Sequence, residues 1–207
     1  VLFRSATTGQ KKSDAETHKG AKLGLVLDTG GVDDHSFNQS AWEGAKAYAK
    51  ANNMKSGQNA PVTYFTTADH SDLDQNFNLA TKNKKYNIVY GIGYSLNQAI
   101  TKSAQLNPKQ NFVLVDDIVT NRPNVASVMF RSEQSSYLAG VAAATKAKEN
   151  GEKTLGFIGG IHGNIIDAFD AGFEAGVKAT DPTLKVEKQY ANSFTDSAKG
   201  KTIAATK

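Results

Sequence analysis

From residue 21 onward, short apolar runs alternate with longer stretches in which apolar side chains recur every three or four positions. The runs at 22–28, 61–67, 87–91, 111–116, 124–130, 154–159 and 184–191 predict strands. The helical period predicts helices at 36–52, 71–83, 95–106, 132–149 and 164–179, with one more in the closing residues. Central strands rich in Val, Ile and Leu, alternating with amphipathic helices, predict an α/β fold whose parallel sheet is covered by helices on both faces. The pattern breaks near Arg122-Pro123, where strand 124–130 leads directly into a long helix and a second βα series starts. Two lobes are expected, at 21–126 and 127–207, the second of them truncated.

Open α/β sheets bind ligands at the carboxyl ends of their strands. After the first strand come Asp28 and GGVDDHSFN; after the third, GIGYS; after the fourth, Asp116-Asp117; after the sixth, GGIHGN; after the seventh, NSFTD. Glycines, carboxylates and aromatic rings therefore gather at one edge. Ser36 and Gln39 fit the capping box S-x-x-Q, which predicts Ser36 as helix cap and sets Phe37 in the first turn. Ala41, Ala45, Tyr48 and Ala49 form the expected buried stripe, with Trp42 beside it. Phe37 has two open readings, a staple onto the core or a flat surface for a planar ligand. Side chains of adjacent residues on an extended chain face opposite ways, so one of Asp116 and Asp117 is expected at the crevice and the other at solvent or a cap.

Composition narrows the chemistry. The chain of 207 residues has no Cys, which excludes disulfides and thiolate metal sites. Its net charge of +4 comes from scattered Lys and Arg and gives no nucleic-acid signature. No apolar run approaches the roughly 20 residues of a membrane helix. The four His, at 18, 35, 70 and 162, lack metal-ligand spacing, and Asp33, Asp34 and His35 read as turn and helix-entry residues. GFIGGIHG at 156–163 has neither G-x-G-x-x-G nor GK[ST], and its glycines suit tight turns. Ser36, Ser95 and Ser193 lack a G-x-S-x-G setting and an evident His partner. No catalytic residue, metal or cofactor is expected. Residues 1–20 are polar and aperiodic and read as a disordered leader or tether. VLFRS back-translates to GTGCTCTTCCGATCT, an adapter-like string, and reads as an assembly artefact. The closing DSAKGKTIAATK stops within a helical pattern, so the chain reads as a fragment.

Four segments together resemble the basic membrane lipoprotein (PnrA-like) family: LGLVLDTGGVDDHSFNQSAWEGA, NFVLVDD, NVASVMFRSEQSSYLAGVAAA and LGFIGGIHGNIIDAFDAGFEAGV. These are purine-nucleoside-binding lipoproteins of ABC importers. The resemblance runs in register from Ala21 to about Lys201. It implies a type I periplasmic-binding-protein fold, two Rossmann-like lobes with parallel sheets closing on ligand, and no enzymatic activity. It implies a purine base stacked between Phe37 and Phe194 and hydrogen-bonded by Asp28 and Asn38, with the Asp116 carboxylate at the crevice. The expected ligands are guanosine, inosine and adenosine. The partners would be ABC permease subunits and, through an N-terminal lipid anchor absent from these residues, the outer face of the cell membrane; no nucleic acid is expected. In the family, the ribose is gripped by later segments. Weak or absent nucleoside binding is therefore expected of these 207 residues alone. A sugar or autoinducer binder of the same fold, a repressor effector domain and a nucleoside hydrolase remain as alternatives.

Overall fold

The structure, a computed structural model, describes residues 20–82 and 85–206, so the expectations for residues 1–19 lie outside the described residues. Every predicted strand and helix is present, with ends shifted by a few residues. In chain order they are β1 (Leu23–Leu27), α1 (Phe37–Ala51), β2 (Val62–Phe65), α2 (Leu73–Thr81), β3 (Ile88–Ile92), α3 (Asn97–Leu106) and β4 (Asn111–Val115). There follow β5 (Val125–Val128), α4 (Ser132–Asn150), β6 (Thr154–Gly159), α5 (Asn164–Thr180), β7 (Lys185–Tyr190) and α6 (Ser197–Ala205). Short 3₁₀ turns, His70–Asp72 and Tyr94–Leu96, introduce α2 and α3.

The first five strands form one sheet in the order β2-β1-β3-β4-β5. β1 pairs in parallel with both neighbours, Leu23 lying opposite Val62 on one side and Ile88 on the other. Covered on both faces, it buries all five residues of LGLVL, which is why it reads as an unbroken apolar run rather than an alternating one. β6 and β7 pair in parallel as a second sheet.

By compactness the chain divides into two units. The first takes residues up to Val113 with Arg122–Val125, and the second takes Leu114–Asn121 with everything from Ala126. The division expected at 126/127 is simpler than this: the second unit begins its main run at Ala126 and also takes Leu114–Asn121, the last two residues of β4 with the first part of the loop that follows.

The core of unit 1 is built from Val26, Leu27, Val62, Phe77, Val89, Ile100 and Phe112, all essentially inaccessible to solvent. Trp42 of α1 meets Tyr64 of β2 edge-on, with ring centroids 4.8 Å apart, a favoured arrangement for aromatic quadrupoles. In unit 2, α4 and α5 touch backbone to backbone. A Cβ on Gly140 would overlap the Phe173 carbonyl, one on Gly172 that of Glu133, and one on Gly176 that of Tyr137. The Ser136 hydroxyl donates to the Phe169 carbonyl across the same seam, at 2.5 Å. Below it, Ala144, Ala147, Val177 and Leu184 form the buried cluster, with Leu155, Phe173 and Val186 packed against it.

Candidate ligand-binding site

From β1 the chain passes to β2 on one side, and β3 takes the other, so the loops leaving β1 and β3 diverge. That reversal is where doubly wound sheets open a ligand crevice. Asp28 stands there, directly after β1, and donors from three residues converge on it. The Thr29 backbone N–H donates to Oδ1 at 2.7 Å, and His70 Nε2 approaches the same oxygen at 2.8 Å. The Ser95 hydroxyl, from the loop after β3, donates to Oδ2. The side chains of Asp28 and His70 are 25% and 55% exposed, so the carboxylate lies within the rim and the imidazole on it. Ser, Asp and His meet here with the carboxylate in the middle. In a hydrolytic triad the imidazole takes the central place, next to the hydroxyl it deprotonates. Ser95 is thus held by a carboxylate that His70 also uses, which positions an acceptor rather than activating a nucleophile.

Asn38 is almost wholly buried, at 1% exposure. Its Oδ1 accepts from the Asp28 N–H at 3.1 Å. Its amide nitrogen donates to the carbonyls of Asp28 at 3.1 Å and Thr29 at 3.3 Å. The side chain therefore clamps the backbone beneath Asp28, and its contact with a ligand is limited to what Oδ1 has left.

The cap of α1 differs from expectation. Ser36 occupies the N-cap position, but its side chain makes no cap hydrogen bond. Asp34 does the work instead: Oδ1 accepts from the N–H groups of Ser36 (2.9 Å) and Gln39 (3.0 Å), and Oδ2 from that of Asn38 (3.0 Å). Gln39 reaches back to the His35 N–H at 3.2 Å, one residue earlier than a capping box requires. A carboxylate satisfies three orphan amides where a hydroxyl satisfies one, so it displaces the serine. Partial burial pushes the Asp34 carboxyl up, and the three amides with the neighbouring His35 outweigh it, leaving it below its ordinary value. Phe37, at the first residue of the capped helix, is 38% exposed.

In unit 2, Asp116 adopts a left-handed backbone (φ 76°), and its N–H donates to the Val128 carbonyl at 2.7 Å. Burial, then the adjacent Asp117, push its carboxyl above the ordinary range. Asp117 Oδ1 accepts from the Ile118 N–H at 2.8 Å and so caps its own turn. Phe194, after β7, is 55% exposed; its ring occupies the space that a Cβ on Gly160 would need. In the loop after β6, His162 stacks on Tyr190, with centroids 3.4 Å apart and planes inclined by 21°. The Tyr190 hydroxyl donates to Asp170 at 3.0 Å, and burial with that bond pushes the phenol up to about 12. Among the described residues no group of His, Asp or Glu is arranged to hold a metal ion, and no helix is long and apolar enough to cross a membrane.

Residues 21–206 match the family described as ABC transporter substrate-binding protein PnrA-like. The chain belongs to this family. It is 45% identical over 201 residues to the ABC transporter nucleoside-binding protein BmpA of Lactococcus lactis subsp. cremoris, covering 97% of this chain and 54% of that protein. It is 43% identical to a CD4+ T-cell-stimulating antigen of Listeria innocua, covering 98% and 55%. Basic membrane protein B of Borreliella burgdorferi is 35% identical, with 90% and 54% covered. The chain therefore spans about half the length of the curated relatives it matches. Among solved structures, an ABC transporter solute-binding protein from Aeropyrum pernix K1 superposes with a TM-score of 0.77 at 24% identity, covering 90% of this chain and 52% of that one. A sugar transporter from Clostridium phytofermentans gives 0.61 at 15% identity, covering 90% and 66%. These likenesses show the shared fold of type I solute-binding proteins.

Within this PnrA-like fold, Thr29, His70 and Ser95 are the polar neighbours of Asp28 that sequence reasoning left unassigned. The missed signal was positional. His70 lies in TTADHSD, the segment after the second predicted strand, and so at the same sheet edge as the others. The seat that Gly160 provides for Phe194 follows two strand ends, β6 and β7, being hydrogen-bonded neighbours.

Proposed function

We propose that this chain is the solute-capturing component of an ABC importer, binding purine nucleosides outside the cytoplasm and passing them to permease subunits without chemical change. The observation that carries the reading is 45% identity, over nearly the whole chain, to a nucleoside-binding protein of an ABC transporter. The site chemistry supports it. Phe37 and Phe194 are large aromatic rings left exposed at strand ends, suited to a planar base. Asp28 accepts N–H or O–H donors. A carboxylate that burial holds above its ordinary range, such as Asp116, would be worse placed beside a phosphate than beside a neutral nucleoside. An N-terminal lipid anchor would hold the protein at the membrane.

Calorimetry of the full natural chain with guanosine, inosine and adenosine tests the reading; heat with a sugar and none with any nucleoside would overturn it. Phe37→Ala should weaken nucleoside binding by about tenfold or more, because one stacked aromatic contributes ~1–3 kcal/mol. Its melting temperature should stay close to wild type. Unchanged affinity with a collapse in stability would make Phe37 a core staple.

A further inference from the structure

We propose that His70 is a specificity-determining latch on Asp28, setting how many parallel N–H donors a bound base can present. The inference rests on the nucleoside reading above and deepens it.

An ionised carboxylate offers about four in-plane acceptor positions, two on each oxygen. On Asp28, Oδ1 is held closely by the Thr29 N–H at 2.7 Å and by His70 Nε2 at 2.8 Å, with the Thr29 hydroxyl farther off at 3.5 Å. Oδ2 holds the Ser95 hydroxyl, which leaves one position on that oxygen. Facing a carboxylate oxygen, Nε2 is the nitrogen that carries the proton.

The three donor residues are not equally replaceable. Thr29 uses chiefly its backbone N–H, covalently next to Asp28, with its hydroxyl behind at 3.5 Å. Ser95 stands in the 3₁₀ turn that opens α3, and is half-buried. His70 arrives from the far end of β2, 42 residues away in sequence, on a side chain 55% exposed. It is the outermost donor and the one an incoming ligand can displace.

Bases differ in what they ask of this carboxylate. A hypoxanthine edge presents a single N–H, which the open Oδ2 position can accept with His70 in place. A guanine edge presents two parallel N–H donors, which a carboxylate takes as a fork with one on each oxygen. The second of these donors must reach Oδ1, the oxygen that His70 holds at 2.8 Å. Two-donor bases must therefore evict the imidazole, and single-donor bases need not.

The test compares affinities for guanosine and inosine in the full natural chain and in two variants. His70→Ala removes the displaceable donor from Oδ1 and should move the guanosine-to-inosine affinity ratio about tenfold toward guanosine, the scale of one charge-assisted hydrogen bond. His70→Gln places an amide N–H near the position of Nε2 and should return the ratio close to wild type. If His70→Ala changes both affinities by the same factor, the imidazole only supports the loop and the proposal falls. It falls equally if Gln and Ala shift the ratio alike. Absence of binding of either nucleoside by the wild-type chain would instead bring down the nucleoside reading itself, and the latch with it.

Discussion

At the entrance to α1 the residue that matters is Asp34. Three backbone amides converge on it, whereas Ser36 contributes no cap bond through its side chain. Asp34→Ala should cost about 1 kcal/mol, in the range of lost N-caps, and Ser36→Ala should be nearly neutral; thermal melts of the two variants check the ranking. The reverse order would restore the cap to Ser36. Sequence alone favoured the serine because S-x-x-Q is a recognised spacing. Two facts outside it decided otherwise: His35 takes a positive φ of 52°, and that turn brings the carboxylate two residues before the cap over the amides. Asp28 and Phe37 were legible as strand-end and helix-tip residues, since position along an element follows from periodicity. The company of Asp28 was not, because its contacts with His70 and Ser95 join segments 42 and 67 residues away.

Between elements, the seam of α4 and α5 depends on the absence of side chains. Gly172→Ala and Gly176→Ala would each gain helix propensity, but the added methyl meets a facing carbonyl that cannot move without parting the helices. Net destabilisation of about 1–3 kcal/mol is expected, as for overpacked cores. Gly44 in α1 has nothing near its missing Cβ, so Gly44→Ala should stabilise by about 0.5–1 kcal/mol. Urea denaturation of the three variants reads both signs. Strand β7 is tied to α5 through Lys188, which lies 2.6 Å from Glu174 and 2.9 Å from Asp170. Hydrogen bonds from Lys178 and Lys188 hold the Glu174 carboxyl at about 2, below its ordinary 4.5. A depressed carboxyl stabilises the fold above its unfolded value and ceases to do so as pH falls through its folded one. The stability lost in Glu174→Gln should therefore be greatest above 4.5 and vanish as pH approaches about 2. A difference from wild type that does not change with pH over this window would exclude the ion pairs as its source.

For the molecule as a whole, the βα alternation was enough to give the fold class and every element, because a buried parallel sheet leaves a strong apolar signature. It was less informative about grouping. The end of β4 and the start of the loop after it carry no composition change that would assign them to either lobe, yet Leu114–Asn121 belongs by compactness to the second unit. Which side a loop joins depends on contacts remote in sequence, as the Asp116 N–H bonding to Val128 illustrates. The placement of Trp42 has a spectroscopic consequence. It is the chain's one tryptophan, and it sits in unit 1 against Tyr64. Indole emission therefore follows the unfolding of unit 1 alone, while far-ultraviolet ellipticity sums the helices of both units. In Gly172→Ala, whose lesion lies wholly in unit 2, an unfolding midpoint lowered in both signals would mean one cooperative transition. A midpoint lowered in ellipticity alone would mean two, with indole as a silent witness to the first.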